Sequence, residues 1–186
     1  MPLATHTYPS PLGDLLAVFT ARGLGLLEFA GQPRVARALA QLQAARGDAA
    51  PAPGLLSAWT AQLGHELAEY FAGRRRHFAL PLDLVGTPFQ QRVWQALLAI
   101  PYGQTWSYAQ QAQHIGQRSA TRAVAAANGQ NKISIIVPCH RVIGSKGQLT
   151  GYGGGLPRKA WLLGLEQGQQ AAPLQQSTPG MGEGVA

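Results

Sequence analysis

The chain of 186 residues has one cysteine, eight carboxylates against fifteen Lys and Arg, and no apolar run long enough to cross a bilayer. Each shortage excludes something. A lone cysteine, Cys139, forms no internal disulfide and rules out the common Cys-rich zinc sites. The five histidines show no metal-ligand spacing, so no metal is expected. A spanning helix needs about 18 or more consecutive apolar residues, so no membrane is expected as a partner. The N-terminal MPLATHTYPS lacks the basic-then-apolar layout of a signal peptide. Together these features predict a reducing, cytoplasmic setting.

The scarcity of acid is uneven. Residues 1–85 carry seven Arg/Lys and six Asp/Glu; residues 86–170 carry eight Arg/Lys and a single carboxylate, Glu166. A basic field confined to one half suggests a polyanion, most simply nucleic acid, with a merely soluble basic surface as the alternative. The apolar fraction of 46% is ample for a core. The length predicts one domain or two small ones: an N-terminal α/β part over 1–85, a C-terminal part over 86–170, and a disordered polar tail over 171–186.

Within the first part, DLLAVFT (14–20) and LGLLEFA (24–30) read as a hairpin. Residues 33–46 and 55–73 read as helices, and 77–86 as a last strand running into a linker. In the second part, TPFQQRVWQALLAI (87–100) has a capping threonine and a proline in its first turn. SYAQQAQHIG (107–116) and SATRAVAAANGQN (119–131) are two short helices joined by a tight turn, the pattern of helix-turn-helix. Ile135, Ile136 and Val137 look like a buried strand ending at Pro138. The glycine-rich stretch 144–155 is a loop or wing, and 156–168 a last helix.

The second helix of the pair is nearly bare: Ala120, Ala123, Ala125, Ala126, Ala127 and Gly129 surround one long cation, Arg122. Small side chains suit close approach to the minor groove, only about 6 Å wide. They equally suit a helix packed in a core. The basic surroundings and the nearby cysteine favour DNA.

PCHRVIG (138–144), with TRAVAAANGQN (121–131) before it and GYGGGLPRKAWLLGLE (151–166) after it, resembles the O6-alkylguanine-DNA alkyltransferases, or methylated-DNA–protein-cysteine methyltransferases. The likeness extends upstream over 87–112 and more loosely over 10–19 and 66–83. It implies an α+β chain: an N-terminal ribonuclease H-like α/β domain and a C-terminal winged-helix-like domain with a helix-turn-helix. It further implies that Cys139 accepts the alkyl group, that His140 and Glu166 with a bridging water draw off the thiol proton, and that Asn131 supports the preceding turn. Tyr108 would protonate the guanine. Arg122 would fill the gap left by the flipped nucleotide, with Ser119, Thr121, Ala123 and Ala127 along the DNA. Tyr152, Gly153, Gly154, Val142 and Lys159 would form the pocket. The partner implied is double-stranded DNA containing O6-alkylguanine, met by a monomer that could cluster on DNA, with no cofactor. The zinc site of some members is absent here, because its cysteines are. The bare run Gly153–Gly155 suggests a roomy pocket that accepts groups larger than methyl.

The chemistry agrees with this. A thiolate is a soft nucleophile suited to an alkyl carbon, but a free cysteine with a pKa of about 8.5 is only a few per cent ionised at pH 7, so a base helps. The thioether product has nothing to displace it, which predicts one reaction per molecule. Two other readings use the same residues. One is a helix-turn-helix binding module with an incidental cysteine. The other is a thiol hydrolase built on Cys139, His140 and Glu166.

Overall fold

A computed structural model describes residues 3–47 and 50–169; the tail expected over 171–186 lies outside the described residues. Three strands, β1 (Ala4–Tyr8), β2 (Leu15–Thr20) and β3 (Gly23–Phe29), form an antiparallel sheet in that order. The β2–β3 pairing is the expected hairpin, closing Thr20 against Gly23. Strand β1 escaped the sequence reading because its middle residues, Thr5, His6 and Thr7, are all exposed and polar, so no apolar alternation marks it. Every residue of β3 is buried, because both faces of the sheet are covered. On one face lies helix α1 (Arg34–Arg46), whose Leu42 comes so close that a methyl group on Gly25 would stand 2.8 Å from it. On the other face lie helix α2 (Pro53–Phe71) and the second half of the chain.

Residues 77–86 are extended but form no strand of their own. They are tied to β3 by Leu24 N–H donating to the Pro81 carbonyl (2.9 Å) and Asp83 N–H donating to the Leu24 carbonyl (2.8 Å). Asp83 in turn accepts two bonds from Arg46, at 2.7 and 2.8 Å, and one from Thr20 at 2.7 Å.

Helix α3 (Pro88–Leu98) and helix α4 (Tyr108–His114) each start with a capping box, Thr87 with Gln90 and Ser107 with Gln110, which satisfies free N–H groups at both ends of the reciprocal pair. A 3-10 turn (Arg118–Ala120) leads into helix α5 (Thr121–Gly129). The angle between α4 and α5 is fixed by a buried amide pair. Gln111 Nε2 donates to Asn128 Oδ1 (3.0 Å), and Asn128 Nδ2 donates back to Gln111 Oε1 (2.6 Å). Trp94 holds α5 from beneath, its indole N–H donating to the Ala127 carbonyl at 2.9 Å. Strands β4 (Trp106–Ser107) and β5 (Val142–Ile143) form a short parallel pair, and helix α6 (Leu156–Glu166) closes the structure.

The apolar run at 135–137 is not a strand. It is a buried turn in which Val137 N–H donates to the Ile133 carbonyl (3.0 Å), followed by a 3-10 turn over Cys139–Arg141. A short all-apolar run fits a buried turn as well as a buried strand, and periodicity cannot separate them. Ile135 has φ 73°, the one positive φ outside glycine among the described residues. For a β-branched residue that conformation costs about 1–2 kcal/mol, so the surrounding contacts must hold it. One apolar cluster runs through both halves, from Leu15 and Leu27 of the sheet through Leu63 and Tyr70 to Trp94, Val137, Cys139 and Leu162, and a smaller one, with Val18, Leu26 and Leu42, lies under α1.

Candidate active site

The turn around Cys139 is held chiefly by one side chain. Asn131 Nδ2 donates to the Val137 carbonyl (2.8 Å), lies 3.4 Å from the Ile133 carbonyl, and donates to Cys139 Sγ (3.3 Å), while its Oδ1 accepts from Ile133 N–H (3.0 Å). Asn131 therefore closes the turn and touches the sulfur. The thiol is buried. Burial pushes its pKa up, only partly countered by the Asn131 hydrogen bond, so the resting sulfur is a protonated thiol.

Cys139 and His140 sit in a 3-10 turn and not on a strand, where neighbours would point to opposite faces. His140 is fully buried, and its Nε2 lies 2.7 Å from Glu166 Oε1. The same carboxylate accepts from the Tyr70 hydroxyl (2.7 Å), from Arg141 Nε (2.8 Å) and Nη2 (3.1 Å), and from Gly103 N–H (3.3 Å). Burial alone would raise the Glu166 pKa, but the His140 and Arg141 contacts outweigh it and hold the group well below the usual carboxylate range. Burial pushes the His140 pKa down, against the pull of Glu166. The imidazole is therefore neutral. An ionised Glu166 can only accept, so Nε2 carries the proton and Nδ1 is the basic nitrogen. That Nδ1 is buried and has no hydrogen-bond partner among the described residues.

Lys159 is fully buried, its ammonium donating to the Val142 carbonyl (2.5 Å) and the Thr150 carbonyl (2.7 Å). Burial lowers its pKa to about 8. The Thr150 carbonyl also accepts from the Tyr108 hydroxyl at 3.0 Å, so Lys159 and Tyr108 meet on one backbone oxygen and tie α4, the loop and α6 together. Val142 is fully buried and contributes its carbonyl. The Tyr152 hydroxyl is inaccessible, and burial pushes its pKa well above the usual value.

The expectation of empty space along Gly153–Gly155 does not hold at Gly153 and Gly154. A methyl group on Gly153 would fall inside the Arg34 guanidinium, and one on Gly154 would stand 2.8 Å from the Phe29 ring. These glycines admit side chains of the N-terminal half. They do not leave empty space. A second correction concerns α5. Arg122, Ala123 and Ser119 are exposed and Thr121 is half-exposed, but Ala127 is buried at 3% and belongs to the core. At helical spacing it lies on the face opposite Arg122, so its side chain is no DNA contact.

Several residues that build the site carried no local signal. Arg141 forms a buried ion pair with Glu166. Tyr70, 96 positions before Glu166, lies on a helix whose pattern gives no hint of this contact. Glu28 on β3 is buried at 0% exposure; it contacts the Ser134 hydroxyl and lies 2.5 Å from Arg34 Nε. Arg34 donates to the Asn131 carbonyl. Backbone bonds from Leu27 N–H to the Lys132 carbonyl (2.9 Å) and from Ser134 N–H to the Leu27 carbonyl (2.8 Å) complete the joint between β3 and the turn. A carboxylate inside an apolar strand, LGLLEFA, was the one available hint.

Comparison with known proteins agrees with this geometry. Residues 3–84 match the family model described as 6-O-methylguanine DNA methyltransferase, ribonuclease-like domain, and residues 88–168 match the one described as 6-O-methylguanine DNA methyltransferase, DNA binding domain. The methylated-DNA–protein-cysteine methyltransferase of Mycobacterium leprae is 61% identical over 109 residues, which span 59% of this chain and 66% of that protein. The one from Mycobacterium bovis is 56% identical over 124 residues, 67% of this chain and 73% of the relative. The crystal structure of Mycobacterium tuberculosis OGT in complex with DNA superimposes with a TM-score of 0.74 at 46% identity, covering 90% of this chain and 95% of that one. Both halves of the chain thus match in order, and it belongs to the 6-O-methylguanine DNA methyltransferase family.

Proposed function

We propose that this protein repairs DNA by moving an alkyl group, methyl above all, from O6-alkylguanine, and also from O4-alkylthymine, in duplex DNA onto Cys139. The carrying observation is the buried His140–Glu166 pair directly following the buried Cys139 in sequence, in which the basic ring nitrogen, His140 Nδ1, has no hydrogen-bond partner among the described residues. His140 takes the thiol proton through a bridging water, and Glu166 orients the ring and stabilises the imidazolium. The sulfur attacks the alkyl carbon, an S–C bond forms as the C–O bond breaks, and the electron pair goes to the guanine oxygen. Tyr108 supplies a proton to the departing base, exchanging its bond to the Thr150 carbonyl. Because the resting sulfur is a thiol, deprotonation accompanies substrate engagement. The thioether has no neighbour able to displace it, so the protein acts once.

The reacting oxygen lies within the base stack, so the nucleotide must be extruded at a cost of a few kcal/mol. The exposed face of α5 offers Arg122 to fill the gap and small residues to approach the minor groove. Lys159, Val142 and Tyr152 shape the pocket wall. Measuring intact mass after incubation with a duplex containing O6-methylguanine tests the reading. The expected gain is one methylene per molecule on the peptide holding Cys139, absent in Cys139→Ser. Repeated turnover, or a mass gain elsewhere, overturns it. Arg122→Ala should slow reaction in duplex more than reaction with free O6-benzylguanine; equal slowing removes the finger role.

A further inference from the structure

The exposed stripe of α5 runs through Arg122, Ala126 and Gly129, spaced i, i+4 and i+7 on one face. Beyond Gly129, about 10 Å from Arg122 at 1.5 Å rise per residue, the surface dips into a cavity of about 230 Å³. Its walls are Arg34, Arg37 and Gln41 of α1, and Gly129, Gln130 and Lys132 at the end of α5. Three cations and no carboxylate line it among the described residues. Arg34 is already paired with Glu28, and the Lys132 ammonium donates to the Val85 carbonyl at 3.0 Å. Burial, and to a smaller extent the nearby Arg34 charge, push the Lys132 pKa down. Arg37 is exposed and has no hydrogen bond or ion pair among the described residues. Gly129 is exposed on the stripe and also lines the cavity, and a methyl group there would meet nothing within 4 Å.

We propose that this cavity seats the phosphate backbone of duplex DNA, carrying the duplex from α5 onto the ribonuclease-like half. Arg37 is its free cation, with Gln41 and Gln130 as neutral donors at its edge. The inference rests on the reading of α5 as the DNA-facing helix, and it gives the N-terminal half a binding role besides supporting the active-site turn. A backbone seat carries no sequence information and acts through counterion release.

The test is binding of the full-length protein to an undamaged duplex over a range of salt concentrations, for wild type, Arg37→Ala and Gln41→Lys. Each phosphate contact contributes about 0.9 to the slope of log affinity against log salt. Arg37→Ala should flatten the slope by about that amount and weaken binding alike on unrelated sequences. Gln41→Lys should steepen it. Reaction of both variants with free O6-benzylguanine should match wild type, since that reaction needs no duplex, and it also reports an intact fold. Slopes equal to wild type in both variants overturn the proposal while leaving the repair reading intact. Failure of the wild type itself to bind duplex would remove the repair reading and this proposal together.

Discussion

Two carboxylates, one from each half of the molecule, are buried against the turn that presents Cys139, and their ionisation is shifted in opposite directions. Glu166, from α6, is surrounded by donors from Tyr70, His140, Arg141 and Gly103 and is held well below the usual carboxylate range. Glu28, from β3, contacts Ser134 and Arg34, yet its Oε2 has no aligned hydrogen bond, and burial pushes its pKa up. Burial is common to both. The number of aligned donors decides the sign, because each one offsets part of the lost hydration. The C-terminal half thus holds a negative charge against the His140 ring, whereas the N-terminal half holds a joint.

The largest expected break in this comparison is Glu166→Ala. It strands Arg141 in the interior, and removing one partner of a buried pair costs about 3–5 kcal/mol. Urea unfolding should show that loss, and the single-turnover alkylation rate should collapse with it. Glu166→Gln keeps the shape and should recover stability better than rate, because the charge that stabilises imidazolium is gone. A stable variant with wild-type rate would remove Glu166 from the relay.

Next in size is Gly153→Ala, where the added methyl must displace Arg34. Overpacking of this kind costs about 1–3 kcal/mol. An empty pocket at that position would leave the melting temperature unchanged, so calorimetry separates the two pictures. Glu28→Gln should be milder, about 1 kcal/mol, since the lost pairing with partly exposed Arg34 is offset by the easier burial of an amide. Its effect should show in slower reaction of Cys139 with free O6-benzylguanine. Unchanged reactivity would mean that the joint does not position the sulfur.

The smallest effect is in pH dependence. The folded pKa values of His140 and Glu166 lie below their ordinary values of 6.5 and 4.5. Their stabilisation is present above those ordinary values and is lost as pH falls through the folded ones. Glu28, with a raised folded pKa, acts in the opposite sense: its contribution is present below 4.5 and lost as pH rises. Glu28→Gln should therefore make stability fall more steeply on acidification than in wild type, as urea midpoints at a series of pH values will read. A shallower fall would reverse the assigned sign.

Local chemistry made much of this legible in the sequence. The capping boxes at Thr87 and Ser107, the β2–β3 hairpin, the bare α5 and the PCHR motif all depend on neighbours a few positions apart, and each lies where the sequence puts it. The turn at 135–137 did not read correctly, because an apolar run specifies burial without specifying shape. Ile135 takes a positive φ inside a turn whose two ends are bonded by Asn131, a residue outside the run. The glycines at 153 and 154 were legible as small but not as the seats of Arg34 and Phe29, side chains more than a hundred positions away.

The order of residues alone determined which atoms can react: one sulfur, an imidazole beside it, and one carboxylate in the basic half. Only the tertiary structure decided their states. A pKa depends on the donors and the dielectric around a group, and those come from Tyr70, Arg141, Glu28 and Arg34, which the chain brings together from distant positions only when it folds.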